Sequence, residues 1–431
     1  MDSSQAPVLL TRVCREWRTL ARSTPELWSS TVSIEGINFP ASGGYVNGRS
    51  FAMLEDWLSL SRHRPLTFGY ISHPHDPEVT RRILRILCAH VLRWKDVYLE
   101  IQGREMIPAP DIDSLPCLTK LEFLGSPDHT ESWLPLLRRS SNLRTLLLDW
   151  WPEFELWAVP WPQLTALSIY LPSDFAASAF NLDQLVGNLS QCTNLETIDL
   201  NLGHCCAVIP AREPVLAPGL LELQIKVTTV GILEDFIRAF AAPKLESLTL
   251  CCEYDADGQD VSVAFLSFLS KSGWPSLRSL RLGGSGWRED KVVEILSSLP
   301  NITQLRLRSQ SLNPEFLAPL NLRFSDNGQL QSGQNPHISS IIFDHGEKSS
   351  TKDPKALADM IKSRWHVPSN AFDSDGRTIR RLKEFRMSSY SLDPGKLKSF
   401  LCEQFQQIVD EGFTFLLIRS YAGQVVWSSL P

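Results

Sequence analysis

The sequence predicts an α/β fold made of repeated units, each with one short strand and one helix. Three observations support this prediction: a short leucine phrase returns eight times, a proline precedes most copies, and helical periodicity fills the intervals. Such an internal repeat indicates stacked units with a shared core, because one unit cannot bury its apolar face alone.

The repeated phrase is Leu-x-x-Leu-x-Leu, with Ile or Phe at some anchors. The copies are CLTKLEF, NLRTLLL, QLTALSI, NLETIDL, GLLELQI, KLESLTL, SLRSLRL and NITQLRL. Their first anchors are Leu118, Leu143, Leu164, Leu195, Leu220, Leu245, Leu277 and Ile302. Successive anchors lie 25, 21, 31, 25, 25, 32 and 25 residues apart. This spacing is typical of leucine-rich repeats, whose period is roughly 20–29 residues. We therefore expect a leucine-rich-repeat solenoid, a curved parallel sheet with helices on its convex side, clearest over residues 118–312.

Proline marks the start of six of the eight phrases. These residues are Pro116, Pro162, Pro218, Pro243, Pro275 and Pro300. Proline lacks an N–H and disfavours helix in the residue before it, so each preceding helix ends there. The intervals are helical in period, as in Ile232, Leu233, Phe236 and Ile237. The predicted unit is strand, loop, helix, Pro-x, strand.

Looser units flank the eight clear ones, so the solenoid is predicted to occupy residues 31–431. SFAMLEDWLSLSRHRPLTFGYI and PEVTRRILRILCAHVLRWKDVYLEI each read as a helix followed by a strand. ISSIIFDH, LKEFRMSS and GFTFLLIRS read as later strands, with a helix over Pro394 to Asp410 before the last. The polar stretch from Ser325 to Pro336 is predicted to be a loop.

The first 30 residues form a separate helical segment by their pattern. Apolar residues at helical spacing predict one helix from Leu9 to Ala21, with Arg12, Arg15, Glu16, Arg18 and Arg22 on its other face. Pro25 is expected to end the helix, and Leu27 and Trp28 to lead into a strand. From the pattern alone, this helix is an N-terminal cap for the exposed end of the solenoid.

The segment LLTRVCREWRTLARSTPELWSS resembles the second half of an F-box. The matching residues are Leu10, Val13, Cys14, Arg15, Trp17, Arg18, Pro25, Leu27 and Trp28. With the repeats behind it, the chain is similar to the fungal F-box/leucine-rich-repeat proteins. The resemblance implies a substrate receptor of a cullin-type ubiquitin ligase, in which the F-box docks a Skp-type adaptor and the repeats hold a protein target. The adaptor contacts that it implies are Leu9, Leu10, Val13, Cys14, Trp17, Leu27 and Trp28.

An F-box usually opens with a Leu-Pro-x-Glu helix further upstream, and this sequence starts too late to contain it. Two interpretations stay open: a sequence that lacks its upstream segment, or a degenerate F-box that only caps an interaction scaffold with no ligase role. An in-frame Leu-Pro-x-Glu segment upstream of Met1 in the genomic sequence would favour the first.

Side chains between the repeat leucines are expected to form the target surface, because alternation along a strand sends them away from the core. The predicted target contacts are Glu122, Asp149, Tyr170, Asp199, Gln224, Arg281, Arg306 and Arg308. Acidic groups lie toward the N-terminal end, whereas Arg281, Arg306 and Arg308 predict a basic end that favours an acidic or phosphorylated segment. Internal pairing of these arginines, for example with Glu253 or Asp257, is the competing interpretation.

Composition narrows the function classes. The chain has 431 residues, 43% hydrophobic and 21% charged, with a net charge of -6. Mild acidity argues against a nucleic-acid partner, and the sequence has no apolar run long enough to span a membrane. The nine cysteines include no C-x-x-C pair, which predicts buried, reduced thiols and a cytoplasmic or nuclear location.

Sequence motifs for catalysis, cofactor binding or metal binding are weak throughout, so we expect a non-enzymatic chain without cofactor or metal. HPHD at residues 73–76 and HCC at residues 204–206 offer metal-ligand types but are predicted to be solvated or structural. Trp150, Trp151, Trp157 and Trp161 crowd one loop, where they either pack beneath the loop or form a binding patch.

Overall fold

The computed structural model describes most of the chain. The described ranges are 7–29, 32–33, 48–72, 77–101, 112–125, 137–149, 159–171, 182–203, 214–252, 260–272, 274–284, 286–308, 311–344, 350–351, 354–389, 403–419 and 424–428. The chain divides into two compact units, Met1–Asn201 (unit 1) and Leu202–Pro431 (unit 2). The predicted boundary between residues 1–30 and 31–431 stays a prediction.

Unit 1 contains both helices and parallel strands among its described residues. Its helices are α1 Leu10–Val13, α2 Arg15–Ser23, α3 Glu26–Ser29, α4 Gly48–Leu60, α5 Pro77–Cys88 and α6 Leu182–Leu189. Its strands are β1 Val32–Ser33, β2 Leu66–Ile71, β3 Trp94–Ile101, β4 Lys120–Gly125, β5 Thr145–Asp149, β6 Ala166–Tyr170 and β7 Thr197–Asn201. They pair in chain order, and each neighbouring pair is parallel. A helix precedes β2, β3 and β7.

Unit 2 repeats this arrangement. Its helices are α7 Val230–Ala239, α8 Val261–Ser272, α9 Glu289–Ser297, α10 Pro314–Leu317 and α11 Pro354–Trp365, and residues 403–410 are also helical. Its strands are β8 Val215–Leu216, β9 Glu222–Val227, β10 Phe240–Ala241, β11 Ser247–Cys252, β12 Ser279–Gly284, β13 Gln304–Leu307, β14 Ser311–Leu312, β15 Arg323–Phe324, β16 Leu330–Ser332, β17 Ser340–Asp344, β18 Ser350–Thr351, β19 Glu384–Ser389, β20 Thr414–Arg419 and β21 Gln424–Ser428.

The main sheet of unit 2 has the order β9, β11, β12, β13, β17, β19, β20, β21. All neighbours are parallel except β21, which is antiparallel to β20. The predicted loop between Ser325 and Pro336 contains β16, which pairs antiparallel with β15. The chain reverses there because Gly328 adopts φ +87°, a left-handed conformation that favours glycine.

The leucine anchors form the core, which confirms the α/β leucine-rich-repeat fold class. Each of the eight first anchors is at most 1% exposed. The second anchors lie opposite one another in register, as in Leu121, Leu146, Leu167 and Ile198 of unit 1. The intervening helices bury their apolar faces, for example Leu233, Phe236 and Ile237 of α7. Burial of aliphatic anchors at this density is the main stabilising contribution.

The residue directly before each strand makes a recurring contact. In unit 2 these residues are Glu246, Arg278, Thr303, Ser339 and Lys383, here called the entrance row. The N–H groups of Arg278 and Ser279 both donate to the Glu246 carbonyl, at 2.8 and 3.0 Å, and Thr303 and Gln304 repeat this on the Arg278 carbonyl. Parallel strands are therefore locked to their neighbours at the point where each begins.

A row of asparagines near the same edge was not predicted. Asn142, Asn194 and Asn301 each directly precede a first anchor, and each donates from Nδ2 to the proline carbonyl of the preceding repeat. The three distances are 2.7, 2.9 and 3.0 Å. Three of the eight phrases begin with Asn, so the sequence held the signal for this row.

Candidate interaction surfaces

The N-terminal segment forms two helices where the sequence predicted one. Cys14 adopts φ −153° and ψ 178°, which ends α1 and begins α2. Its Sγ accepts a hydrogen bond from the Trp17 N–H at 3.5 Å, as an N-cap does. Arg18 ties the two helices together, because its Nε donates to the Thr11 carbonyl at 2.7 Å. The prediction of a continuous helix from Leu9 to Ala21 is wrong at this residue.

Four large apolar side chains of this helix pair are exposed. Leu9, Val13, Trp17 and Leu20 keep 46%, 59%, 50% and 64% of their surface accessible. Cys14 is also exposed, and Leu10 and Leu27 are half-buried. Large apolar side chains grouped on an exposed surface are unusual for a monomeric protein. Arg12, Arg15, Arg18 and Arg22 are exposed on the same helices, with Glu16 as the opposing charge.

Trp28 is an internal anchor and not a surface contact. It is 5% exposed, and its Nε1 donates to the Ala21 carbonyl at 2.6 Å. Trp57 of α4 in turn donates from Nε1 to the Trp28 carbonyl at 2.6 Å, and the two rings meet edge to face with centroids 5.1 Å apart. Glu26 also pairs with Arg64. This side of the segment is therefore fixed to the rest of unit 1, and Trp28 as placed offers no surface to an adaptor.

The strand face of unit 1 carries the predicted acidic residues. Glu122 pairs with Lys120 at 2.7 Å, and the Tyr170 hydroxyl donates to Asp199 Oδ2 at 2.7 Å. Burial and the bond to Asp199 raise the pKa of Tyr170 to about 12. Burial and the nearby charge of Glu100 raise the pKa of Asp149. Desolvation and the neighbouring negative charge both disfavour the ionised form of Asp149.

The strand face of unit 2 carries the predicted basic residues. Arg281 and Arg306 lie opposite each other on β12 and β13. Arg306 Nε lies 2.5 Å from Asp344 Oδ2 on β17, so its charge is already paired. The predicted competitors Glu253 and Asp257 lie outside the described residues, and Asp344 was missed. Within the described part of the chain, Arg281 and Arg308 make no side-chain ion pair, and Gln224 lies on β9 of the same sheet.

The cysteines do not form a reactive site among the described residues. Cys192 and Cys252 are buried, Cys88, Cys117 and Cys251 are half-buried, and Cys14 is exposed. Burial raises the pKa of both Cys88 and Cys192 to about 12, which disfavours the nucleophilic thiolate. The prediction of buried thiols is therefore wrong for Cys14, because it lies at the exposed junction of α1 and α2.

The two sequence motifs with metal-ligand residue types lie outside the described residues. Residues 73–76, residues 204–206, Trp150, Trp151 and Trp157 lie outside the described residues, whereas Trp161 is 2% exposed and packs in the core. Across the described ranges, no three His, Cys, Asp or Glu side chains come together as a metal site would require. Among the same residues, none of the helices combines the length and apolarity needed to cross a bilayer.

No protein-family model matches the sequence. No curated protein matches it either. Among solved structures, the leucine-rich repeat-containing protein LegL7 from Legionella pneumophila is similar over 84% of this chain and 92% of its own, at 12% identity and a TM-score of 0.33. The description of this chain as a leucine-rich-repeat protein therefore depends on its own phrases, registers and buried anchors.

Proposed function

We propose that this chain is a non-catalytic protein-interaction receptor, and more specifically a substrate receptor of a cullin-type ubiquitin ligase. The observation that carries the proposal is the exposed cluster formed by Leu9, Val13, Trp17 and Leu20 on α1 and α2, here called the apolar cluster. In this scheme the apolar cluster docks a Skp-type adaptor, and the strand faces hold the target.

The position of the apolar cluster supports docking. Large apolar side chains left in water are unfavourable, and burying each one fully against a partner stabilises by about 1.5–3 kcal/mol. Four of the eight large apolar side chains that are exposed among the described residues fall between Leu9 and Leu20. The surrounding arginines favour a partner whose apolar groove is bordered by acidic groups.

The receptor would act by proximity. A target held on a strand face has its lysines at high effective concentration near a ubiquitin-charged enzyme bound elsewhere in the ligase. Neither docking nor holding requires a catalytic residue of this chain. The acidic residues of unit 1 and the arginines of unit 2 offer two chemically different surfaces for targets.

The alternative is an interaction scaffold in which the helices only cap the repeats. The bonds that join Ala21, Trp28 and Trp57 support this alternative, since they serve the fold of unit 1. A cap needs that buried side but has no need of exposed Val13, Trp17 and Leu20. The two functions therefore differ in what the exposed side does.

Binding of a purified Skp-type adaptor to the full chain tests the proposal. Val13→Asp and Leu20→Asp should each weaken binding at least about 10-fold, because a charge enters an apolar contact. The matched control is Val263→Asp on α8, since Val263 is similarly exposed at 60%. Adaptor binding that is absent, or unaffected by both changes, would leave the capping function as the account of this segment.

A further inference from the structure

Unit 2 contains a strongly basic cavity on the entrance edge of its sheet. The cavity has a volume of about 300 Å³. Its lining residues are Arg278, Asn301, Thr303, His337, Ser339, Arg377, Thr378, Arg380 and Lys383. The lining includes four residues that are always cationic at neutral pH, one histidine and three hydroxyl groups, with no carboxylate. None of the predicted target contacts lines the cavity, although Arg281 on β12 and Arg306 on β13 follow its lining residues Arg278 and Thr303 by three positions.

The entrance row supplies one side of this cavity. Arg278, Thr303, Ser339 and Lys383 precede four neighbouring strands, and each N–H donates to the carbonyl of the residue before it in the row at 2.8 Å. Their Cα atoms are therefore separated by about one strand spacing each, roughly 4.8 Å. Among these four residues, arginine and lysine stand at the two ends with two hydroxyl residues between them; Glu246, the fifth member of the entrance row, precedes Arg278 and does not line the cavity.

A fixed turn supplies the other side. The Asp373 carboxylate accepts bonds from the N–H groups of Asp375 and Arg377 at 2.9 and 2.8 Å, and from His337 Nε2 at 2.9 Å. Burial acts to raise the pKa of Asp373, but these hydrogen bonds outweigh it, so its pKa is lowered and the group is ionised. The turn that carries Arg377, Thr378 and Arg380 is thus held by a buried carboxylate that does not line the cavity.

Asn301 orients two of the guanidinium groups. Its Oδ1 accepts from Arg377 Nη1 at 2.7 Å, and its main-chain carbonyl accepts from Arg278 Nη1 at 3.4 Å. Its own Nδ2 is fixed to the Pro275 carbonyl at 3.0 Å. Both arginines therefore keep further N–H donors in a fixed fork that matches phosphate oxygens.

Among the described residues, Arg377 is the one cation of the cavity lining that pairs with a carboxylate, and Asp373 and Asp375 line the adjoining pocket. Arg377 lies 3.6 Å from Asp375, with both side chains more than half exposed, so this pair is weak. In the described ranges, Arg278, Arg380 and Lys383 belong to no ion pair. Like charges on one lining repel one another, and a bound anion removes that repulsion.

We propose that this cavity is a binding site for a phosphate monoester. A phosphate dianion offers three terminal oxygens to the forked guanidinium groups of Arg278 and Arg377, to Lys383, and to the Thr378 hydroxyl. The volume lies at the lower end of ligand pockets, which suits one phosphoryl group and a few attached atoms. The site does not depend on the proposed ligase function, since it involves neither the apolar cluster nor the strand face.

The test measures binding of inorganic phosphate to the full chain by isothermal titration calorimetry at low ionic strength. We expect saturable binding that weakens as salt is added. Arg278→Gln and Lys383→Gln should each reduce affinity about 10-fold, because each removes one charge-assisted hydrogen bond. The matched control Arg323→Gln replaces an exposed arginine of β15 that does not line the cavity and should leave affinity unchanged. Circular dichroism checks that the variants fold.

Two further probes identify the source of the phosphate. A degenerate peptide library with a central phosphoserine stands for a modified protein segment, and glycerol 3-phosphate stands for a small phosphorylated molecule. Tighter binding of either one than of inorganic phosphate assigns the source. No saturable binding of any of the three probes, or equal losses in Arg278→Gln and Arg323→Gln, would overturn the proposal.

Discussion

Arg306 and Asp344 are joined across neighbouring strands of unit 2, with Nε and Oδ2 2.5 Å apart. Asp344 also accepts a bond from the Ser388 hydroxyl at 3.1 Å, so its carboxylate is fixed on two sides. Of the predicted basic residues Arg281, Arg306 and Arg308, Arg306 is therefore already paired with a carboxylate. Among the described residues Arg281 and Arg308 have no such ion pair, so we expect these two to contribute most to any contact with an acidic target.

We expect the double substitution Arg281→Gln and Arg308→Gln to remove acidic or phosphorylated partners from the proteins that the full chain captures. Arg306→Gln should have a smaller effect, because Asp344 already offsets its charge. Mass spectrometry identifies the proteins captured by the double variant and by Arg306→Gln, each with and without phosphatase treatment. Arg238→Gln on α7 is the surface control. An unchanged partner set for the double variant would show that this face is merely solvated.

Trp28→Ala should destabilise unit 1 far more than Trp17→Ala. Loss of a buried tryptophan costs about 3–5 kcal/mol, and Trp28 is 5% exposed. Trp17 is 50% exposed, and its loss should cost no more than about 1 kcal/mol. Urea unfolding followed by circular dichroism compares the two free energies. Equal losses would contradict the assignment of Trp28 to the core and Trp17 to a contact surface.

Gly284→Ala should destabilise unit 2 by more than about 3 kcal/mol, because overpacking adds to strain. Gly284 adopts φ +100°, and a Cβ there would lie 1.5 Å from the Cys252 carbonyl oxygen. Gly376 has φ +75° but open space around it, so Gly376→Ala should cost only the conformational strain of about 1–2 kcal/mol. Thermal unfolding of both variants distinguishes steric conflict from backbone strain. A smaller loss of stability in Gly284→Ala than in Gly376→Ala would contradict the close approach of residue 284 to the Cys252 carbonyl.

Asp149→Asn should stabilise unit 1 at pH 7 by roughly 0.5 kcal/mol, a small value because the group is partly solvated. Burial and Glu100 raise its pKa in the folded protein, so the ionised side chain opposes folding. Above the folded pKa this penalty is fully present, and it disappears as the pH falls to the ordinary pKa near 4. Urea unfolding at pH 7 and pH 3.5 compares the free energies of unfolding of the variant and the unchanged protein. If Asp149→Asn were still the more stable at pH 3.5, its stabilisation would have a cause other than the charge of Asp149.

The positions of the repeat strands could be predicted from the sequence, but the side-chain contacts between distant segments could not. The phrase starting at Leu118 predicted a strand ending at Phe123, and β4 runs from Lys120 to Gly125, because alternation and the preceding proline are local signals. The break at Cys14 was missed, since apolar spacing reports on helix faces and not on φ and ψ. The Arg306–Asp344 pair and the cavity around Arg278 depend on registers between distant segments, which a single sequence does not display.

The strand-entrance hydrogen bonds have a consequence for how such a chain changes over evolutionary time. Each repeat is fixed to its neighbour where its strand begins, yet successive anchors are separated by 21 to 32 residues without loss of register. The connecting segments can therefore differ in length while the strands keep the same register. At the entrance row the paired hydrogen bonds involve only main-chain atoms, so a substitution there changes the charge of this edge without removing the bonds that align the strands.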